Sequence, residues 1–298
     1  MPVIGLLSPE GPTTGNVNGL HEGLRELGYV EGRNIRFEYR WADGNFDRLP
    51  ELAAELVRLN VDVIVSFVTQ AAVSAKRATA TIPIVIVGVA DPIGAGLIAA
   101  LAHPGGNVTG TSSIATQIVG KQFELLKEIV PNASRFAALW NPANPVFQAQ
   151  QVKQAEEAAR ALGVGLQLFE AKAQNEFDAG FTAINREGYR ALVILIDPLY
   201  MSHLRSLVEL SVKGRFIATM GFSPFADAGG LMSYAPDYAD SYRRAAVYID
   251  KILKGTKPAD LPVEQATKFE FIVNLKTARD LGIDMPTSIL LRANRVIE

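Results

Sequence analysis

The sequence predicts an α/β fold in which two doubly wound, parallel-sheet lobes follow one another along the chain. Its 298 residues suit about two domains of ordinary size. Apolar, β-branched runs alternate with stretches of helical period, and a second series of such runs begins beyond residue 112. Strands separated by helices imply parallel sheets that are covered on both faces, so each series is expected to build its own sheet.

The first series has a βαβαβ pattern. A helix is marked by leucines at helical spacing and stops at Gly28, a second spans residues 49–59, and a third lies near residues 70–79. A short helix through Leu97 and Leu101 is predicted before the last strand of this series. The predicted strands are 3–7, 35–41, 61–67, 82–89 and a segment near 110.

The second series repeats the alternation with clear helix punctuation. Asn144 followed by Pro145 is a good N-cap and first-turn pair, and Gly163 closes the same helix. The predicted strands are 135–140, 164–171, 191–196, 215–219 and 231–235.

Composition excludes several functions. Lysine and arginine total 29 against 31 acidic residues, with no basic run, so nucleic acid is not an expected partner. The absence of cysteine removes disulfides, thiolate metal sites and a cysteine nucleophile. No apolar run is long enough to span a membrane.

Motif searches predict no catalytic residues, no metal and no cofactor. The three histidines, at positions 21, 103 and 203, lack metal-ligand spacing, and the phosphate-binding and nucleophile motifs of common enzymes are missing. Asp91 with His103 is the only faint acid–base pair. We therefore do not expect an enzyme.

Three strands end in an Asx-Pro step, at Asp91, Asn141 and Asp197. Ligands of open parallel sheets bind beyond the carboxyl ends of the strands, so these residues are delivered to a possible site. Asp197 ends an apolar run, and a buried carboxylate requires a partner. For Asp91 we expect a cap or hinge role, whereas for Asn141 and Asp197 a cap and a ligand contact stay open.

Other candidate ligand contacts also lie near strand ends. Thr69 could cap a helix that begins near Gln70, which would present free N–H groups to an anion, or it could serve as a cap alone. Ser8 ends the first strand and could reach a ligand or begin a turn. Three aromatic residues could meet an apolar ligand or belong to the core: Trp140, Tyr200 and Phe222.

Four long stretches carry a resemblance to a known family. They are GLRELGYVEGRNI (23–35), YRWADGNFDRLPELAAELVRLNVDVIV (39–65), DPIGAGLIAALAHPGGNVTG (91–110) and LPVEQATKFEFIVNLKTARDLGIDMPTSILLRA (261–293). The chain resembles the substrate-binding proteins of ABC importers, specifically the tryptophan and aromatic amino acid binding branch.

The resemblance implies a type I periplasmic-binding-protein fold, with two α/β lobes joined by a hinge around a small ligand. Residues 1–112 with 236–262 would form the first lobe, and 113–235 with 263–298 the second. The loops after the strands at Ser8, Thr69, Asn141, Asp197 and Phe222 would line the interlobe cleft.

The resemblance also implies an extracytoplasmic solute-binding component of an ABC importer, with a membrane permease as partner. The protein would be periplasmic or a tethered lipoprotein, although this chain shows no signal peptide. We expect an amino acid ligand with an aromatic or branched apolar side chain. Its α-ammonium group would pair with Asp197, and its carboxylate would lie at Thr69 and Gln70.

Two alternatives stay open. One is the ligand-sensing core of a LacI-like regulator, because such cores share the two-lobe fold. The other is a binding protein for a sugar or another small carboxylate.

Overall fold

The computed structural model describes residues 1–9, 11, 17–114 and 118–298. The chain divides into two compact units, each built from two stretches of sequence. Unit 1 comprises Met1–Ile114 and Asp237–Lys268, and unit 2 comprises Ala115–Pro236 and Phe269–Glu298. The predicted pair of mainly parallel α/β lobes is confirmed.

Most of the strands coincide with apolar runs of the sequence, whereas β11 (Glu264–Gln265) does not. In chain order they are β1 (Val3–Ser8), β2 (Arg36–Trp41), β3 (Val63–Phe67), β4 (Ile84–Val89), β5 (Val108–Ser112), β6 (Arg135–Trp140), β7 (Gly165–Glu170), β8 (Ala191–Ile194), β9 (Ile217–Met220), β10 (Met232–Pro236), β11 (Glu264–Gln265), β12 (Phe269–Asn274) and β13 (Arg295–Ile297).

The helices lie between the strands along the chain. They are α1 (Val17–Glu26), α2 (Leu49–Arg58), α3 (Val68–Ala78), α4 (Val119–Ile129), α5 (Pro145–Ala161), α6 (Phe177–Arg186), α7 (Pro198–Ser202), α8 (Leu204–Lys213), α9 (Pro224–Asp227), α10 (Tyr238–Leu253), α11 (Leu275–Leu281) and α12 (Thr287–Arg292). In the described part of the chain, no helix has both the length and the apolar character needed to cross a bilayer.

The sheet of unit 1 has the order β11-β5-β4-β3-β1-β2, and each pair of neighbouring strands is parallel. Its two faces are covered by different helices. Leu20 of α1 and Ala245 of α10 belong to one buried cluster, whereas Leu52 of α2 and Ala71 of α3 belong to another. Burial on both faces explains why β1, β3 and β4 are almost continuously apolar.

The sheet of unit 2 has the order β13-β12-β10-β9-β8-β6-β7. The strands from β7 to β10 run in parallel, and β12 is antiparallel to β10. A core cluster on one face joins the central strands to α4, α5, α11 and α12, with Phe123, Phe136 and Ile289 fully buried.

One predicted helix was wrong. The segment between β4 and β5 forms turns, although Leu97 and Ile98 are buried as an amphipathic helix would require. Asp91 accepts a hydrogen bond from the Gly94 N–H at 2.8 Å, and Gly96 has a φ of 69° that a right-handed helix does not allow. Burial of apolar side chains thus occurs here without regular structure, and Asp91 has the turn-capping role expected of it.

One boundary between the units also differs from the lobe boundary that the resemblance implies. Residues 263–268 were assigned to the second lobe but lie in unit 1. The reason is that β11 pairs with β5, where Glu264 is in register with Thr111. Phe269 begins β12 and belongs to unit 2.

Candidate ligand-binding site

The strand order of each sheet identifies where a ligand crevice is expected. In unit 1, the order reverses between β1 and β3, because the chain places β2 on one side of β1 and then continues on the other. In unit 2, the same reversal lies between β6 and β8. Ligands of doubly wound sheets bind beyond the carboxyl ends of the strands at such a switch point. Of the predicted residues, Ser8 ends β1 and Thr69 follows β3, whereas Asn141 and Asp197 follow β6 and β8.

In unit 1, the turn from β3 into α3 is sharp. Val68, the first residue of α3, has a φ of 59°, and this left-handed conformation is costly for a β-branched residue, on the order of 1–3 kcal/mol. Phe67 is the N-cap, and its side chain makes no capping hydrogen bond. The expectation that Thr69 caps this helix was therefore wrong, because α3 begins one residue earlier and Thr69 lies within its first turn.

The start of α3 has the N–H groups and dipole that attract anions to helix N-termini in general. The first N–H groups of a helix have no partner within the helix, and they form the positive end of its dipole. Thr69 and Gln70, both half-buried, lie in this turn. Ser8 ends β1 on the neighbouring strand, is 4% exposed, and accepts the Ala42 N–H at its carbonyl oxygen at 2.9 Å.

Buried hydroxyl groups lie near the same edge. Ser66, next to the end of β3, and Ser112, at the end of β5, are 0% and 2% exposed. Neither Oγ has a hydrogen-bond partner in the described part of the chain. A buried hydroxyl without a partner costs about 1–3 kcal/mol, so these groups suit a small polar ligand. Sequence reasoning missed both serines, and their only signal is a polar residue within or at the end of an apolar strand.

In unit 2, Asp197 is the centre of a buried polar cluster. Its carboxylate is 1% exposed and accepts four hydrogen bonds. Oδ1 accepts from Asn141 Nδ2 and the Leu199 N–H, each at 3.0 Å, and Oδ2 accepts from Asn144 Nδ2 at 3.0 Å and Gln148 Nε2 at 3.1 Å. The two oxygens offer about four acceptor directions, so the carboxylate is fully used within unit 2.

The side-chain amides of this cluster are the partners that the buried Asp197 carboxylate requires. Asp197 is the N-cap of α7, and its bond to Asn141 joins β8 to β6 at the switch point. The geometry favours the cap over a direct ligand contact, which stays a prediction. Asn144 does not cap α5 with its side chain, because its amide donates to Asp197 instead.

Two glutamines of α5 complete the cluster. Gln148 and Gln151 are both 0% exposed, and each donates from Nε2 to the Ile196 carbonyl oxygen, at 3.0 and 2.8 Å. Their Oε1 atoms have no partner within the described residues. Sequence reasoning missed them, although amide side chains at 144, 148 and 151 recur on one helical face that would ordinarily be apolar.

The aromatic candidates of unit 2 are mostly buried. Tyr200 is 0% exposed, its hydroxyl donates to the Ala171 carbonyl oxygen at 2.9 Å, and burial raises its pKa well above the ordinary value. Phe222 is 7% exposed and lies just beyond β9. Trp140 packs against the core, yet its buried indole N–H has no acceptor among the described residues. A core role thus accounts for Tyr200, whereas ligand contacts by Trp140 and Phe222 stay predictions.

Over residues 1–9, 11, 17–114 and 118–298, no group of three or more His, Asp or Glu side chains is arranged to hold an ion.

Unit 1 also contains a cavity of about 390 Å³. It is lined by residues of both charge signs: Asn18, His21, Glu22, Arg25 and Glu31.

Known proteins resemble the chain over nearly its whole length. A tyrosine-binding protein of Clostridioides difficile (strain R20291) is 25% identical over 265 residues, which cover 89% of this chain and 76% of that protein. The crystal structure of a conserved domain protein from Vibrio cholerae O1 biovar El Tor matches with a TM-score of 0.90 and 29% identity, over 99% of both chains. The structure of an ABC domain in complex with L-Trp from Streptococcus pneumonia matches with a TM-score of 0.89 and 29% identity, also over 99% of both chains.

More distant structures share the fold alone. A LacI-family repressor from Corynebacterium glutamicum matches with a TM-score of 0.62 and 13% identity, over 91% of this chain and 97% of that one. By contrast, the family model for ABC transporter substrate binding proteins, a family of binding proteins and not of enzymes, matches residues 6–297. The resemblance found in the sequence is confirmed, and the chain belongs to the family of ABC transporter substrate-binding proteins.

Proposed function

We propose that this chain is the extracytoplasmic solute-binding component of an ABC importer and that its ligand is an amino acid with an aromatic or branched apolar side chain. The observation that carries the proposal is the family match over residues 6–297, together with the likeness to a structure that holds L-Trp. The protein would act in a periplasm or as a lipid-anchored protein and would deliver its ligand to a membrane permease.

The ligand carboxylate is proposed to lie at the start of α3. The N–H groups of the first turn and the Thr69 hydroxyl would donate to it, and the helix dipole favours a negative charge there. The buried hydroxyl of Ser66, two residues before Val68, provides a further polar group near this position.

The α-ammonium group is proposed to meet the Asp197 cluster through its amides. Asn141 and Asn144 both turn Nδ2 toward the Asp197 carboxylate, so their Oδ1 atoms point away from it. Amide oxygens backed by a buried negative charge attract a cation, and they still have acceptor capacity, since Asn141 Oδ1 accepts a single N–H, that of Ala143 at 3.0 Å. One ligand would then contact both units, which would close on it by a hinge motion.

Calorimetry of the purified chain with single amino acids, their methyl esters and common sugars tests the proposal. We expect aromatic or branched apolar amino acids to bind, and each methyl ester to bind roughly 10-fold more weakly or worse, because it lacks the charge that the helix start stabilises. Binding of a sugar with no binding of amino acids would contradict the proposed ligand class. Equal affinity for ester and free acid would contradict the carboxylate position alone.

The alternatives of a LacI-like sensor core and a sugar-binding protein have weaker support. Structures of those classes are only 13–16% identical to this chain in sequence. That level of identity shows a shared fold alone. The same calorimetric panel separates a sugar-binding protein from an amino acid-binding one.

A further inference from the structure

The edge strand of unit 1 carries a continuous row of aromatic rings. Alternate residues of β2 share a face, and Phe37, Tyr39 and Trp41 are on one face while charged residues occupy the other. The ring centroids of Phe37 and Tyr39 are 5.7 Å apart with a 25° interplanar angle, and those of Tyr39 and Trp41 are 5.8 Å apart with a 15° angle. His21 of α1 begins the row, 4.7 Å from Phe37 in an edge-to-face arrangement.

The row is held in place by its surroundings. Phe37 is 7% exposed and belongs to the core, and the Tyr39 hydroxyl lies 3.2 Å from His21 Nε2. Trp41 is therefore supported on one ring face by a fixed neighbour. A ring that is already ordered loses little conformational entropy when a ligand contacts it.

Trp41 is also at the carboxyl edge of the sheet. It ends β2 and is in register with Ser8, the last residue of β1, and the Ala42 N–H bonds to the Ser8 carbonyl oxygen. The start of α3 follows β3, which lies on the other side of β1. Two strand spacings of about 4.8 Å separate the end of β2 from the end of β3, or ~10 Å in all, a span that suits an aromatic amino acid.

The second ring face of Trp41 has no aromatic neighbour among the described residues, and the side chain is half-buried. We propose that Trp41 is a specificity-determining residue, whose second ring face stacks on the side chain of an aromatic ligand and extends the row by one ring. This inference rests on the proposed function. It assigns the preference for aromatic over branched apolar ligands to one residue.

The test compares the affinities of aromatic and aliphatic ligands in the wild type and in a variant that lacks the Trp41 ring. Affinities for tryptophan, tyrosine and leucine are measured by calorimetry for the wild type and for Trp41→Leu, with thermal melts to verify folding. We expect Trp41→Leu to weaken the two aromatic ligands about 10-fold and to change leucine by less than about 2-fold, because only an aromatic side chain stacks. Trp41→Phe keeps a ring and should restore most of the preference.

A matched control removes a different ring of unit 1. Tyr29 is half-buried, lies outside the row, and donates from its hydroxyl to Asp250 Oδ1 at 3.0 Å. Tyr29→Leu should leave the ratio of tryptophan to leucine affinity unchanged. Equal losses for all ligands in Trp41→Leu, or no loss for any, would overturn the role of Trp41 while the proposed function stands. Absence of amino acid binding by the wild type would overturn both.

Discussion

At the scale of single residues, Asp197 shows how a buried charge is tolerated in this fold. Among the described residues, no cation contributes to its hydrogen bonds; three side-chain amides and one backbone N–H share the carboxylate instead. Asn141 directly follows β6, Asn144 and Gln148 lie at the N-cap and within α5, and Leu199 lies in α7, so the cluster joins elements that are distant in sequence. We infer that Asp197 mainly organises the carboxyl edge of unit 2.

Replacing Asp197 by alanine is therefore expected to lower stability. The substitution leaves several buried N–H donors without an acceptor, and we expect the free energy of unfolding to fall by about 2–4 kcal/mol in urea titrations. Asp91→Ala is the control, since the exposed Asp91 side chain accepts one turn hydrogen bond and its loss should cost less than about 1 kcal/mol. Unchanged stability of Asp197→Ala with a loss of ligand affinity would instead support direct pairing with the ammonium group.

Tyr39 provides a prediction about alkaline pH. Burial, followed by the charge of Glu31, raises the pKa of Tyr39 from 10.0 to about 12. The folded state thus holds the phenol proton more tightly than the unfolded state. The resulting stabilisation is complete below pH 10 and is lost as the pH rises toward about 12.

The free energy of unfolding should accordingly decrease with pH across this window. Tyr39→Phe should show a shallower decrease than the wild type, because burial also raises the pKa of Tyr248 to about 12 and that contribution is retained. Urea titrations at several pH values, with the phenolate absorbance followed in parallel, check this. Identical pH dependence in the two proteins would contradict it.

At the scale of elements, β4 and β5 depend on a glycine. Gly110 has a φ of 131°, and a Cβ there would lie 2.3 Å from the Ile86 carbonyl oxygen, beside the register shift between Ile86 and Val89. Such irregularities re-aim strand ends near binding sites. Gly120 of α4 differs, because its φ is not positive and a Cβ there would have no neighbour within 4 Å among the described residues.

The two glycines predict opposite effects of alanine. Gly110→Ala should destabilise unit 1 by about 3 kcal/mol or more, since both the backbone conformation and the space exclude a side chain. Gly120→Ala should stabilise the protein by about 0.5–1 kcal/mol through helix propensity. Thermal and urea unfolding of both variants check the pair, and a neutral Gly110→Ala would mean that the β4–β5 irregularity is not required.

Most elements, but only part of the site, could be predicted from the sequence. The strands and their polar ends follow from local pattern, which is how Asn141 and Asp197 were found. The prediction of a helix through Leu97 and Leu101 was wrong, because apolar side chains that are buried by turns produced a helix-like spacing in the sequence. Bonds such as Gln148 to Asp197 join residues far apart in the chain, and the early start of α3 at Val68 depends on a strained conformation that Val does not favour. Local rules do not predict either feature.

At the scale of the whole molecule, each unit has its own sheet and its own buried core. Units with separate cores can reorient as bodies with little repacking, which is the basis of the proposed closure. Small-angle scattering with saturating tryptophan should therefore give a smaller radius of gyration than the ligand-free chain. An open ligand-free form whose radius does not change at saturation would contradict closure.

The proposed function requires one amino acid ligand to contact the carboxyl edges of both sheets. Amide hydrogen exchange, followed by mass spectrometry with and without saturating tryptophan, is the decisive test of this proposed contact. We expect slower exchange in unit 1 at the first turn of α3, residues 68–71, and in unit 2 at residues 141–144 and 197–199. Tryptophan that binds by calorimetry yet slows exchange in one unit alone, or at neither edge, would contradict the proposal that one ligand contacts both units.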